Sequence, residues 1–415
     1  MKKGLFQKLL PHIIAVVVFL IVAVIYCKPT LEGKVLNQHD ITHWKGAMQQ
    51  SELIEAKQGE KPLWTNALFS GMPTFQIGYP SNAYVPWIVH NILSLYLPKP
   101  IQFFFLACIC FYFLCIVLRI NPYAGIFGAL SFAYATYNPV IVSVGHDTKM
   151  WSIAYMPALL GSILLVFERR YWLGAGLSAL FTSVMIAMNH PQIAYYFFIA
   201  VAIMTIFYIV RWIRQGAIKH MIMALSFTIV AGIIGLLTNA VSILSTYEYQ
   251  KETIRGGASV LAEGTEHSKT GLDKDYAFSY SMAIPEPFVM LFPRMFGGSS
   301  SQDERGDESK TMEVLRTFPP ELQQQLPVSY YWGGMTFPGE AGVSGPPYVG
   351  AIICFLAILG MFVLDNRHKW WILTAIVLTI MMSWGKYFEE LNSLFYQYLP
   401  LYNKFRAPSM ILVVP

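Results

Sequence analysis

Charge is scarce in this chain. Asp, Glu, Lys and Arg make up 13% of its 415 residues, where a soluble domain carries about 25%. Hydrophobic residues reach 55%. A soluble core that apolar would lack the polar surface to cover it, so a soluble globular fold is excluded. Cysteine is also scarce. Cys27, Cys108, Cys110, Cys115 and Cys354 all fall inside or at the edge of apolar stretches. That excludes a disulfide framework and Cys/His zinc spacing, and leaves five packing residues. Paired acids of the DxD or DE kind are missing from the candidate sites described below, and so are heptads and any repeat of fixed period.

What is present is a series of apolar stretches near the length that spans a bilayer. They predict membrane helices at 11–27, 100–118, 123–143, 150–167, 172–188, 193–211, 221–243, 348–364 and 370–385, with a tenth starting near Ser409. Lys2, Lys3 and Lys8 precede the first stretch, and no small-x-small cleavage site follows it, so it reads as a retained signal anchor. The chain ends within the tenth segment, which predicts that the natural protein is longer.

The formal charge of +5 does not form a patch, so a nucleic-acid partner is excluded. The basic residues fall instead in alternate short loops: Arg119; Arg169 and Arg170; Arg211, Arg214 and Lys219; Arg367 and Lys369. The positive-inside rule places these loops and the N-terminus in the cytoplasm. Two long segments, 28–99 and 244–347, then lie outside and should hold structure of their own. Two stretches of the first, "HWKGAMQQSELIEAK" and "PWIVHNILSLYL", read as surface amphipathic helices. In the second, "GGSSSQDERGDESK" reads as a mobile excursion.

Polar residues collect at the outer helix ends. Asp40 follows the first helix; His146 and Asp147 end the third in "GHDTKMW"; Asn189 and His190 end the fifth in "MNHPQ". Glu248 follows the seventh, and Lys404 and Arg406 precede the last segment. Each alone is as readily a cap or a surface group: Asp147 suits an N-cap, and His190 before Pro191 could bond a backbone carbonyl. Together they suggest a site, because ionisable groups at such depth need partners or a wet cavity.

Here the chain resembles the YfhO-type bacterial membrane protein family, which is counted among the GT-C-like membrane glycosyltransferases. The resemblance rests on "NQHD", the "GHD" turn, "SYSMAIPEPFVMLFPRMFGG" at 279–298, "YWGGMTFPGEAGVSGPPYVG" at 331–350 and "FRAPSM" at 405–410. It implies an all-α polytopic fold, a GT-C-like bundle of about ten transmembrane helices with two large extracytoplasmic loops. It implies transfer of a sugar from a polyprenyl-phosphate donor to a cell-envelope glycan or glycolipid, in the bacterial cytoplasmic membrane. Asp40 matches the family's essential acid and becomes the general base; Asp147 matches a second acid. His146, His190 and Arg406 become substrate ligands, with the Arg fork suited to the leaving lipid phosphate. No cofactor is required, and a divalent metal is left open. Two other classes stand beside this reading. A transporter would need polar residues at the bilayer midplane, where this chain has few. A membrane scaffold or assembly factor would need no cluster of Asp, His and Arg.

Overall fold

A computed structural model describes residues 5–78, 84–256, 271–300, 310–325, 343–364 and 366–415. It divides into two compact units, Met1–Tyr134 with Ile141–Gln250, and Ala135–Val140 with Lys251–Pro415. The chain is 71% helical.

The first unit opens with α1, Leu5–Tyr26, and the single turn α2, Lys28–Leu31. α3, His39–Gln58, ends where Gly59 takes a left-handed conformation. A two-residue antiparallel ladder pairs β1, Trp64–Thr65, with β2, Met72–Pro73. Helices α4, Val85–Leu93, α5, Ile101–Val117, and α6, Pro122–Ala133, follow. α7, Tyr137–Val144, of which the part from Ile141 on belongs to this unit, leads into α8, Asp147–Phe167, α9, Tyr171–Ala187, and α10, Pro191–Arg214. The unit closes with α11, Ile218–Leu237, and α12, Ala240–Tyr249. Pro at the first helical position starts α6 and α10, where its missing N–H costs nothing. Asn121 caps α6 by accepting from Tyr123 N at 3.0 Å.

α8 is the axis of this unit. Its apolar window is 94% buried, against 17% for α1 and 22% for α11, so the latter two form the rim. Side-chain contacts fix the directions. Trp151 meets Gln102 near the starts of α8 and α5, and Gly161 packs on Phe113 near their ends, so the two run parallel. α1 and α6 run against α5: His12 bonds Tyr112 while Tyr26 meets Phe104, and Gly125 faces Tyr112 while Tyr134 stacks on Phe104. α9 turns back from α8 so tightly that a Cβ at Gly174 would lie 2.5 Å from Val166 N. The starts of α5, α8 and α10 therefore share one end of the unit with the last turns of α1, α6 and α9.

In the second unit, described by itself, short helices α13, Lys274–Ala277, α14, Lys310–Leu315, and α15, Pro320–Gln325, precede α16, Ala351–Val363. α17, Lys369–Ser383, and α18, Glu389–Tyr398, follow. The stretch 279–290 lies on the start of the 3-10 turn after α17: Met282 N donates to Ser383 O at 3.0 Å, and Lys386 N donates to Ser281 Oγ at 3.0 Å.

Each of the nine predicted stretches before Ser409 contains a helix, but fewer are full spans. Among the described residues, four helices are long and apolar enough to cross a membrane: α1, α8, α10 and α11. The number rises to six if α6 with α7, bent by 42°, and α17 with the segment Gly385–Tyr398, bent by 110°, each count once. α5, α9 and α16 are apolar but shorter. The tenth segment is a 3-10 helix, Pro408–Val413. Segment 28–99 does hold structure of its own, although α3 buries only Met48 and Ser51 and so lacks a broad apolar face. Residues 301–309 of the polar excursion and 331–342 of the motif at 331–350 lie outside the described residues. All five cysteines are free thiols, four of them buried, as packing residues should be.

Candidate functional site

Asp40 sits in the first turn of α3, not on the loop before it. Gln38, in extended conformation, is the residue that precedes the helix. Unpaired backbone N–H groups and the helix dipole favour a carboxylate at this position. His146 Nε2 approaches Asp40 Oδ2 to 2.8 Å, and His39 Nδ1 lies 3.6 Å from Oδ1. The Asp40 side chain is 45% exposed, so solvent or a substrate can reach it.

The turn that brings His146 there needs Gly145. Its φ is +108°, and an added Cβ would lie 3.0 Å from Ile41 Cγ1, 3.1 Å from Ile41 N and 3.3 Å from Asp40 Cβ. Gly145→Ala is expected to cost about 1–3 kcal/mol from the strained conformation alone. Thermal unfolding in detergent checks this, and an unchanged midpoint would mean that the turn has slack.

Asp147 is a different acid. It is the first residue of α8 and only 3% exposed. It does not serve as the N-cap, which is His146 without a side-chain bond. Its Oδ2 accepts from Lys99 Nζ at 2.7 Å and its Oδ1 from Gln38 Nε2 at 3.3 Å. Gln38 Nε2 also donates to Val142 O at 2.6 Å. Sequence reasoning missed Lys99 and Gln38. The one available signal was that Lys99 and Asp147 both sit at the start of apolar helices, and parallel packing alone brings such starts together.

Lys99 also lies over the Trp151 ring, 4.5 Å from its centroid. Trp151 Nε1 donates to Gln102 Oε1 at 3.2 Å, and His90 Nε2 lies 3.2 Å from the same oxygen. Gln102 Nε2 donates to Leu97 O, so Oε1 is an acceptor and His90 Nε2 carries the proton. His90 Nδ1 then accepts from Tyr155 OH at 2.9 Å. That neutral tautomer agrees with burial, which pushes His90 down to about 4.

His146 is also held below the usual imidazole range, first by burial and then by the Lys149 charge, against the opposing pull of Asp40. It is therefore neutral at neutral pH and donates through Nε2. Its Nδ1 is buried with no hydrogen-bond partner among the described residues. His190 Nδ1 accepts from Ile193 N at 3.4 Å and caps α10. Burial, then the charges of Lys149 and His146, push it down to about 3.

These shifts carry a sign. An unfolded histidine titrates near about 6.5, and His90, His146 and His190 stay neutral below that in the fold. The unfolded chain then binds more protons, so stability falls as pH drops below about 6.5. Melting temperatures across pH in detergent measure this; a midpoint that rises between neutral and mildly acidic pH would contradict it.

The predicted site residues thus divide. Asp40, His146 and Asp147 come together in the first unit, with His190 near enough to feel the charge state of His146. Arg406 belongs to the second unit, where its Nη1 donates to Tyr276 OH at 2.7 Å and its guanidinium lies 5.2 Å from that ring's centroid. Among the described residues no three His, Cys, Asp or Glu side chains are arranged to hold a metal ion. Comparison with known proteins gives no matching family model, no matching curated protein and no matching solved structure.

Proposed function

We propose that the chain is a membrane glycosyltransferase that uses a polyprenyl-phosphate sugar. One observation carries the reading. A solvent-reachable carboxylate, Asp40, is held by a neutral imidazole at one end of a bundle whose helices are apolar enough to sit in lipid. A lipid-anchored donor presents its sugar at that depth.

In the reaction, an acceptor hydroxyl of an envelope glycan or glycolipid attacks the anomeric carbon. The bond from that carbon to the phosphate oxygen breaks, and polyprenyl phosphate leaves with the electron pair. Asp40 takes the hydroxyl proton and later loses it to water. Base assistance of this kind contributes typically ~10²–10⁴-fold. A single displacement inverts the anomeric centre. His146 gives one hydrogen bond to Asp40 and fixes which oxygen faces the acceptor. Arg406 enters on chemistry alone, as a fork able to hold a lipid phosphate through two parallel hydrogen bonds.

In this reading the basic loops and the N-terminus lie inside, and the Asp40 end faces out of a bacterial cytoplasmic membrane. A cysteine placed at Gln215 should stay unlabelled by an impermeant reagent in intact cells, while one at Lys61 labels. Labelling of both would remove the topological ground of the proposal. The function itself is tested by mass spectrometry of envelope glycans with and without the gene. A sugar missing from one glycan or glycolipid class supports transfer, and identical profiles sink it.

A further inference from the structure

The bridge formed by Gln38, Asp147 and Lys99 adjoins the Asp40–His146 pair, since Asp147 follows His146 in the chain. Gln38 stands just before α3, two positions from Asp40. Its backbone carbonyl accepts the first helical bond of α3, from Thr42 N at 3.0 Å. Its side-chain amide has two hydrogens, and both are used. One goes to Val142 O, on the near side of the Gly145 turn, and the other to Asp147 Oδ1, on the far side. The amide therefore clamps both flanks of the turn that carries His146. Lys99 holds the second oxygen of Asp147 at 2.7 Å. Lys99 Nζ also lies over the Trp151 face.

Both Asp147 oxygens thus already accept hydrogen bonds, and the group is 3% exposed. An acceptor hydroxyl reaches Asp40 but not Asp147. We infer that Gln38, Asp147 and Lys99 are positioning residues that lock His146 onto Asp40, and that Asp147 transfers no proton in the reaction. The inference rests on the reading of Asp40 as the base and assigns the acid beside it a different role.

The test reads the position of His146 directly. Carbethoxylation by diethylpyrocarbonate is followed residue by residue, by peptide mass spectrometry, on the purified full chain near neutral pH. In the wild type, His146 reacts slowly, because Nε2 is bonded and Nδ1 is buried. Gln38→Met keeps the length and removes both donors. It should raise His146 reactivity about tenfold, the factor expected from losing hydrogen bonds to a charged group. Lys99→Met should act in the same direction, and Lys99→Arg, which keeps the pair, should match the wild type. His90, 1% exposed, reports folding and should stay unreactive. If Lys99→Met exposes His90, the unit has opened, and Gln38→Met, a partly exposed position, decides alone.

Wild-type reactivity of His146 in Gln38→Met overturns the inference. On the transfer side, Gln38→Met should lower kcat with KM unchanged. A wild-type protein that transfers no sugar yet shows this reactivity pattern counts against the transferase reading alone and leaves the bridge in place.

Discussion

Asp40→Asn should lower the transfer rate by about 10²–10⁴-fold while leaving donor binding nearly unchanged. Asn has the shape of Asp, and its side-chain oxygen still accepts from His146 Nε2, now at 2.8 Å from Oδ2. The contact survives and the base does not. A loss in kcat with an unchanged donor affinity is the mark of an interaction made only in the transition state. A structural fault would lower both, or lower the amount of protein in the membrane. Asp40→Asn with wild-type transfer would place the base elsewhere and remove the mechanism proposed here. The prediction distinguishes Asp40 from Asp147, because the bridge role of Asp147 predicts disorder of His146 on its removal, whereas Asp40→Asn leaves His146 in place.

Lys99→Met should destabilise the first unit by about 3 kcal/mol, the lower end of the range for a buried pair that loses one partner. The lower end applies because the Lys99 side chain is 45% exposed while Asp147 is 3% exposed. The cost arises from the carboxylate left behind, which among the described residues keeps the Gln38 bond at 3.3 Å. The Trp151 face loses its cation as well. Replacing both partners, as Lys99→Met with Asp147→Leu, should recover most of the loss, since no buried charge remains. Denaturant or thermal unfolding in detergent measures both variants. Equal destabilisation in the single and double variants would show that packing, not charge, dominates here.

Much of the helical layout was legible in the amino-acid order, because apolar runs between basic loops leave few alternatives. The break between α6 and α7 was not. The run 123–143 has no Gly or Pro at Tyr134–Thr136, where the helix bends by 42°. The break coincides with a tertiary contact: Thr136 N donates to Tyr348 O at 2.8 Å, a partner far along the chain. Pro139 falls in the first turn of α7, which tolerates it once the break exists. The short final helix was equally hidden, because Pro408 and a left-handed Ala407 start a 3-10 turn within an apolar stretch.

At the site, residue type and helix-end position were enough to nominate Asp40, His146 and Asp147. They could not say which acid is open. That difference comes from Lys99 and Gln38, whose partners lie 48 and 109 residues away in the chain. Long polar side chains at helix ends usually meet water or lipid headgroups, so nothing in their local sequence marks them. At His190 the fold adds a helix cap, because its ring accepts from Ile193 N at the start of α10.

The central claim is that this chain moves sugar off a lipid phosphate. It is tested most directly by incubating membranes, with and without the protein, with polyprenyl-phosphate carrying a labelled sugar. The label is then followed as it leaves the donor. The account predicts that label appears in a glycan or glycolipid, matched by release of free polyprenyl phosphate, only where the protein is present. Donors of several sugars that stay intact at the rate of protein-free membranes would contradict it.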